Sequence, residues 1–185
     1  MKIRMARAGD AEEIAAIYAP IVRETHTSFE LQAPDADEMR SRIVKTLAIF
    51  PWLVMERDGR VMGYAYASRH RERLAYQWSV DVSCYVHADA RGQGVGSALY
   101  NALFRILARQ GIQSAFAGVA LPNEASLRLH RAVGFEPVGI YRQVGYKNGA
   151  WRDTSWMQRR IGEAVADPLP PVPLPQLGLG VLDEP

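Results

Sequence analysis

The chain has 185 residues, of which 48% are hydrophobic and 23% charged, an ordinary balance for a globular domain with a sizeable core. Its 22 basic and 20 acidic residues leave a net charge of +2, which gives no argument for binding nucleic acid. The single cysteine, Cys84, excludes an intrachain disulfide and suits a reducing compartment. No apolar run approaches a membrane span and Met1–Arg4 does not resemble a signal peptide, so we expect a cytoplasmic protein without a membrane partner.

The first half of the chain predicts one strand, two helices and three more strands. Asp10 and Glu13 form a capping-box pattern before the first helix. Asp58-Gly59 is a strong hairpin signal between two strands. The predicted elements are a strand at Lys2–Ala6, a helix after Asp10, a helix at Asp35–Leu47, and strands at Trp52–Glu56, Val61–Ala67 and Trp78–Val86, the last alternating as a half-buried strand does.

The second half adds two helices and three strands. They are a helix at Ser97–Gln110, a strand at Gln113–Val119, a short helix capped by Asn123, and strands at about Glu136–Tyr146 and Trp151–Arg160. This order predicts a mixed α/β fold, in which about four helices flank one sheet of about seven strands. From Asp167 the composition shifts to proline and leucine, so we expect a domain at 1–165 and an extended proline-rich tail at 166–185.

A glycine-rich segment, Arg91-Gly92-Gln93-Gly94-Val95-Gly96, lies between the strand at Trp78–Val86 and the helix that follows. Its glycines let the backbone turn and approach a ligand closely. The helix directs unpaired N–H groups and the positive end of its dipole at the segment. These features predict a phosphate site, to which Arg91 adds a guanidinium group. The chain has no Gly-Lys-Ser/Thr of a nucleotide-binding loop, and Ala98 stands where the dinucleotide fingerprint has its third glycine, although alanine is tolerated there.

The Arg-x-x-Gly-x-Gly pattern between a strand and an amphipathic helix resembles the acetyl-CoA loop of the GNAT superfamily of N-acetyltransferases. The order of elements from Lys2 to about Ile161 is also similar to the GNAT fold. Three stretches resemble the branch that acetylates phosphinothricin and methionine sulfone, and the last two are specific to it. They are Tyr85-Val86-His87, Pro122–His130 and Gly145–Asp153.

The resemblance implies that acetyl-CoA is the acetyl donor and that the loop amides hold its pyrophosphate. The backbone of Cys84–Val86 is expected to bind the pantetheine arm and the thioester carbonyl. We therefore interpret the Cys84 side chain as a core residue and not as a nucleophile. The residues expected to contact the cofactor are Cys84, Tyr85, Val86, Arg91, Gly92, Gln93, Gly94, Val95, Gly96, Ser97, Asn123 and Ser126.

Asp81 is the first candidate for catalysis. It is the ionisable side chain on the polar face of its strand between Gln77 and Tyr85. The resembled enzymes usually carry glutamate at the matching position, so the carboxylate here is one methylene shorter. An aspartate with an ordinary pKa of about 3.9 is a weak base toward an ammonium group, but it could act through a water or in a dry pocket. The alternative is a solvated carboxylate or a partner of Arg71 or Arg73.

His130 is the second candidate, and it shares a helix face with Asn123 and Ser126. The resembled branch has a histidine in this region, which could shuttle protons near neutral pH. The alternative is a hydrogen-bonded structural histidine. The face expected to pack into the core comprises Ala125, Leu129, Ala132 and Val133. His26, His70 and His87 show no metal-ligand spacing, so no metal site is predicted.

Arg71 and Arg73 precede Tyr76 and the Asp81 strand, and two guanidinium groups in a short loop can clamp an anionic substrate. The resemblance implies that these residues, with Phe29, contact an amino-acid-like substrate, although arginine replaces the expected lysine at Arg71. The alternative is a solvated charge run paired with Glu72.

These features favour an acetyl-CoA-dependent N-acetyltransferase that transfers acetyl directly to the α-amine of a small amino-acid-like compound of the phosphinothricin, methionine sulfone or methionine sulfoximine type. One alternative is a GNAT enzyme for another amine, such as a peptide N-terminus or a polyamine. Another is an acyl-CoA-binding module without turnover. The branch usually forms dimers, so a homodimer is expected.

Overall fold

The computed structural model describes residues 1–163 and 165–178, so residues 179–185 of the predicted tail lie outside the described residues. The strands are β1 (Lys2–Met5), β2 (Trp52–Arg57), β3 (Arg60–Arg69), β4 (Ser79–Val86), β5 (Ser114–Ala120), β6 (Glu136–Lys147) and β7 (Ala150–Arg160). The α-helices are α1 (Ala11–Glu24), α2 (Ala36–Leu47), α3 (Val95–Arg109) and α4 (Glu124–Ala132). No helix of the described residues is long and apolar enough to cross a membrane.

All seven strands form one sheet in the order β1-β2-β3-β4-β5-β7-β6. Neighbouring strands are antiparallel, except that β4 and β5 are parallel. The element order, the seven strands and the four α-helices confirm the predicted mixed α/β fold.

The two faces of the sheet have separate hydrophobic cores. In β2, Trp52 and Val54 belong to the core with α1 and α2, whereas Leu53 and Met55 belong to the core with α3. Because both faces are covered, the strand is a continuous apolar run. β4 alternates as predicted over its first part, where Val80 and Val82 are buried and Asp81 is partly exposed. Near its end the other face is covered as well, since the Tyr85 ring packs 4.9 Å from the ring of Tyr18.

The predicted capping box at Asp10 and Glu13 is wrong. The Asp10 carboxylate instead accepts hydrogen bonds from both terminal nitrogens of Arg4, at 2.7 and 2.8 Å, and from the Arg7 amide at 2.7 Å. Glu13 accepts the Val61 amide of β3 at 2.8 Å. A charged partner from β1 offers a stronger hydrogen bond than a helix amide, so the tertiary contact replaces the local one.

β4 and β5 separate after a short parallel pairing. Ser79–Asp81 pair with Ser114–Phe116. Further along, Val82–Tyr85 of β4 and residues 117–120 of β5 line an opening between the two strands. The end of β4 is therefore bonded to β3 on one side and faces a gap on the other.

The described part of the C-terminal segment lies against the domain. The Trp78 indole N–H donates to the Leu169 carbonyl at 2.8 Å, and the Val172 amide donates to the Gln110 carbonyl at 2.8 Å. Leu174 and Leu177 pack against the core with α3. Leucines between the prolines thus give this segment apolar surface to bury. The division into 1–165 and 166–185 stays a prediction.

Candidate active site

A cleft of about 530 Å³ opens between the end of β4, the glycine segment and α4. This volume is in the range of small-molecule sites. Every residue predicted to contact the cofactor lines the cleft except Gln93, and His130 lines it too. The sequence analysis missed Thr25 and Thr27, which enter the cleft from the link between α1 and α2. No periodic pattern marks that link, so nothing in the sequence pointed to them.

The glycine segment has the backbone geometry of an anion-binding loop. Gly92 and Gly94 have φ of 72° and 79°, in the left-handed region that favours glycine. Gly94 caps α3, which begins at Val95, two residues before the predicted start. The first amides of α3 have no intrahelical acceptor and can therefore donate to a ligand. The Ala98 amide already donates to the Gly94 carbonyl at 3.0 Å.

Gly96 and Gln93 have structural roles that the sequence did not indicate. Gly96 lies inside α3, and a Cβ there would come within 2.9 Å of the Leu129 side chain, so glycine lets α4 approach α3 closely. Gln93 donates to the Asp89 carbonyl at 2.7 Å and accepts from Arg57 at 3.1 Å. Gln93 therefore braces the glycine segment.

Gly94→Val should weaken acetyl-CoA binding by about tenfold or more, equivalent to about 1.4 kcal/mol. A β-branched residue disfavours the φ of 79° at this position. The loop must therefore either change its conformation or keep the binding conformation at a free-energy cost of about 1–2 kcal/mol. Titration calorimetry with acetyl-CoA measures the change. Gly162→Val is the matched control, because Gly162 has a similar φ of 71° and does not line the cleft. Unchanged affinity in the Gly94 variant would refute the loop assignment.

Cys84 lines the cleft, but its side chain is not placed as a nucleophile. It packs against the hydrophobic core with α3. Burial raises the pKa of the thiol to about 12, so the reactive thiolate is absent at neutral pH. The interpretation of Cys84 as a core residue is consistent with this environment.

His130 is the most buried residue of α4, with 6% of its surface exposed. Its Nδ1 donates to the Ser126 carbonyl at 2.8 Å, which leaves Nε2 to accept the Tyr100 hydroxyl at 3.0 Å. Burial lowers the pKa of His130, so the imidazole is neutral at pH 7. The predicted packing of α4 is wrong in part, because Ala125 and Ala132 are exposed.

The neutral state of His130 predicts a pH-dependent stability. The pKa of His130 in the folded protein lies below the usual 6.5. Between these two pKa values the unfolded chain binds more protons than the folded protein, so the free energy of unfolding falls as the pH drops below 6.5. Asp10 and Glu30 lose their stabilisation only at lower pH, because their folded pKa values lie below 3.8 and 4.5. In His130→Asn the drop between pH 7 and pH 5, measured by urea unfolding, should shrink. An identical drop in both proteins would contradict the assignment.

Asp81 is paired with His70, not with either arginine proposed as the alternative. The Asp81 Oδ1 atom lies 2.6 Å from His70 Nδ1. Burial raises the pKa of Asp81, while the hydrogen bond to His70 and the charges of His70 and Arg71 oppose this shift. The sequence analysis considered His70 only as a metal ligand. The signal lies in the register of β3 and β4, where Ser68 pairs with Asp81 and places His70 diagonally beside it.

The structure brings some of the predicted substrate residues together. Arg71 donates to the His70 carbonyl at 2.7 Å, and the Tyr76 ring lies 6.0 Å from the His70 ring. Arg73 is exposed and caps the short turn that carries Tyr76. Phe29 is 39% exposed and packs on Gly145, where a Cβ would come within 2.5 Å of its ring. No cation–π contact of Phe29 with Arg71 or Arg73 is present among the described residues.

A buried lysine, missed in the sequence analysis, holds the link that carries Phe29. The Lys147 ammonium donates to the carbonyls of Val22, Ser28 and Glu30 at 2.7, 2.6 and 2.7 Å. The residue is 4% exposed, and burial lowers its pKa. All three ammonium protons are thereby used, and the link is tied to the β6–β7 hairpin.

Groups of histidine, cysteine, aspartate and glutamate that could hold a metal ion are absent from the described residues.

The chain matches a known protein family over most of its length. The sequence profile described as acetyltransferase (GNAT) domain matches residues 3–156.

The chain is similar to named enzymes over most of its length. A phosphinothricin N-acetyltransferase from Alcaligenes faecalis is 45% identical over 86% of this chain and 82% of that protein. An L-methionine sulfoximine/L-methionine sulfone acetyltransferase from Salmonella typhimurium is 34% identical over 90% of this chain and 98% of that protein. The crystal structure of a GNAT phosphinothricin acetyltransferase from Sinorhizobium meliloti in complex with acetyl-CoA superposes with a TM-score of 0.86 at 36% identity, covering 91% of this chain and 92% of that one.

Proposed function

Because the chain belongs to the GNAT acetyltransferase family, we propose that it transfers the acetyl group of acetyl-CoA to the α-amine of a small amino-acid-like compound. The observation that carries the proposal is the cleft, which gathers the glycine segment, the end of β4 and the start of α4 around one space. The amides of Gly92–Ser97 would hold the pyrophosphate, with Arg91 beside them. Bound there, acetyl-CoA supplies an activated acyl group.

The residues of β4 that face the two sides of the sheet have different proposed roles. Cys84 packs toward α3, and Asp81, three residues earlier, points to the opposite face. Amides near Cys84 would polarise the thioester carbonyl. The Asp81 carboxylate, paired with His70, would lie on the side of β4 where the substrate ammonium group loses its proton. We assign His130 to the side of the cleft where the CoA thiol leaves. It lines the cleft and accepts a hydrogen bond from the Tyr100 hydroxyl.

We propose a substrate of the phosphinothricin, methionine sulfone or methionine sulfoximine type. The names of the relatives support this class, as does the cation of Arg71 beside the Asp81–His70 pair, with Arg73 two residues further along the chain. A guanidinium pair suits a carboxylate or a phosphinate-like anion better than a polycation. Phe29 and Tyr76 would contact the side chain of the substrate.

A thiol-release assay with acetyl-CoA and a panel of amines tests this function. Phosphinothricin, methionine sulfone and methionine sulfoximine should release CoA thiol, whereas a polyamine and a peptide N-terminus should give much lower kcat/KM. Faster release with the peptide or the polyamine would favour another GNAT activity. Cofactor binding without release for any amine would leave an acyl-CoA-binding module.

We also propose a cytoplasmic homodimer. The single reduced cysteine suits a reducing compartment. The β6–β7 hairpin exposes a cluster of large apolar side chains, which is typical of an interaction surface. They are Val138, Ile140, Tyr141, Val144, Tyr146 and Trp151. Ile140→Glu with Val144→Glu should convert a dimer to a monomer in sedimentation analysis, and a monomeric parent protein would refute the proposal.

A further inference from the structure

His70 and Asp81 form a pair that the mechanism above uses only in part. The His70 Nδ1 atom lies 2.6 Å from Asp81 Oδ1. The imidazole stacks on the Phe116 ring at 4.3 Å with an interplanar angle of 18°, and the Trp156 ring stands edge-on at 6.2 Å. The His70 side chain is 12% exposed and that of Asp81 is 31% exposed. The imidazole is therefore oriented by aromatic contacts and by one carboxylate.

The hydrogen bond determines which nitrogen is free. A carboxylate only accepts hydrogen bonds, so Nδ1 carries the hydrogen and the lone pair of the neutral ring lies on Nε2. The described residues form no hydrogen bond with Nε2. The buried polar atoms that lack a partner in this part of the chain do not include Nε2, so the atom is not fully buried. His70 thus presents an oriented, unused acceptor at an atom that solvent can reach.

The surrounding groups keep Asp81 in the role of acceptor. Arg71 donates to the His70 carbonyl at 2.7 Å, and its positive charge favours an ionised Asp81. Tyr66 also interacts with the charge of Asp81, and burial raises the pKa of its phenol. The Tyr76 ring lies 6.0 Å from the His70 ring. Phe116 and Trp156 add no charge.

Base strength distinguishes the two members of the pair. The best general base titrates near the working pH, and imidazoles do so whereas carboxylates titrate about two pH units or more lower. A carboxylate on one imidazole nitrogen also stabilises the imidazolium that forms when the other nitrogen takes a proton. An imidazole is therefore the better suited of the two kinds of side chain to take the proton, and the carboxylate orients it.

We propose that His70 is the general base of the acetyl transfer, with Asp81 as its positioning partner, and this inference rests on the function proposed above. The substrate ammonium gives one proton to His70 Nε2, which leaves a neutral amine and an imidazolium held by Asp81. The amine lone pair forms the N–C bond to the acetyl carbonyl, and the C–S bond breaks with its electron pair on sulfur. The second proton lost by the amine nitrogen goes to the thiolate, and the first returns to water from His70.

Two variants of His70 separate this role from a merely structural one. In His70→Asn the side-chain amide nitrogen occupies about the place of Nδ1, so it still donates to Asp81, but the Nε2 lone pair is gone. His70→Phe keeps the stacking on Phe116 and loses both nitrogens. We expect kcat to fall by about 10²–10⁴-fold in both variants, with the acetyl-CoA dissociation constant unchanged. Retained kcat in His70→Asn with a loss in His70→Phe would mean that His70 only holds Asp81, which overturns the proposal.

The pH profile of the unaltered protein is a second, independent test. Its kcat/KM should fall on an acid limb, and that limb should vanish in His70→Asn. An acid limb that is unchanged in His70→Asn would overturn the role of His70. Thiol release by the unaltered protein is measured first, because its absence for every amine would refute the proposed function itself and not only the role of His70.

Discussion

Asp81→Asn is expected to lower kcat by about 10²–10⁴-fold and to leave acetyl-CoA affinity unchanged. Asparagine keeps the shape of the side chain but removes its charge. Its NH₂ group can donate to His70 Nδ1 and so favour the tautomer with hydrogen on Nε2, which blocks the accepting lone pair. Affinity should not change because Asp81 does not line the 530 Å³ cleft.

Single-turnover thiol release at saturating acetyl-CoA measures this effect apart from product release. The matched control is Asp37→Asn, which makes the same chemical change at an exposed residue of α2 and should leave kcat within about twofold. Wild-type turnover in Asp81→Asn would remove the carboxylate from the mechanism. A large loss of cofactor affinity would instead mean that the substitution disturbs β4.

Lys147→Met is expected to reduce the free energy of unfolding by about 2–4 kcal/mol, because three backbone carbonyls lose their charged donor inside the protein. Methionine fills a similar volume, so the loss reports the hydrogen bonds more than a cavity. For a chain of this size the melting temperature should fall by about 5–15 °C. The same change should raise KM for the amine more than KM for acetyl-CoA, since the released link carries Phe29.

Thermal unfolding and steady-state kinetics together test this prediction. Lys45→Met is the control, because Lys45 is an exposed lysine of α2, where such a change stays within about 0.5 kcal/mol. If Lys147→Met melted like the control, the three hydrogen bonds would contribute nothing measurable. If stability fell and both KM values stayed the same, the link would be stabilised without any role in binding the amine.

The sequence predicted those parts of the site that depend on local rules. Glycines before an amphipathic helix allow a tight turn with positive φ, and Gly92 and Gly94 have that conformation. Asn123 caps α4 as predicted, since its side chain accepts the Ser126 amide at 3.1 Å. Such features involve residues a few positions apart, so the sequence contains all the information they need.

Other parts depend on tertiary contacts that no local pattern contains. The bond from His70 to Asp81 requires the β3–β4 register, in which Ser68 faces Asp81. Lys147 reaches carbonyls more than a hundred positions away in the chain. The helical spacing placed His130 on the face that lines the cleft, but its burial depends on Tyr100 of α3 and on Phe135, which no local pattern brings to it. Asp10 shows a different case, in which a local rule predicted a helix cap but an arginine six positions earlier, in β1, took the carboxylate.

The separation of β4 from β5 would make the stability of the protein depend on its cofactor. Acetyl-CoA bound along the end of β4, as proposed, would take the place of a missing backbone neighbour and so stabilise the fold as well as react. By mass action, a ligand at a hundred times its dissociation constant adds about 2.7 kcal/mol to the folded state. When acetyl-CoA is scarce in the cell, molecules of this protein should unfold more often and be degraded sooner.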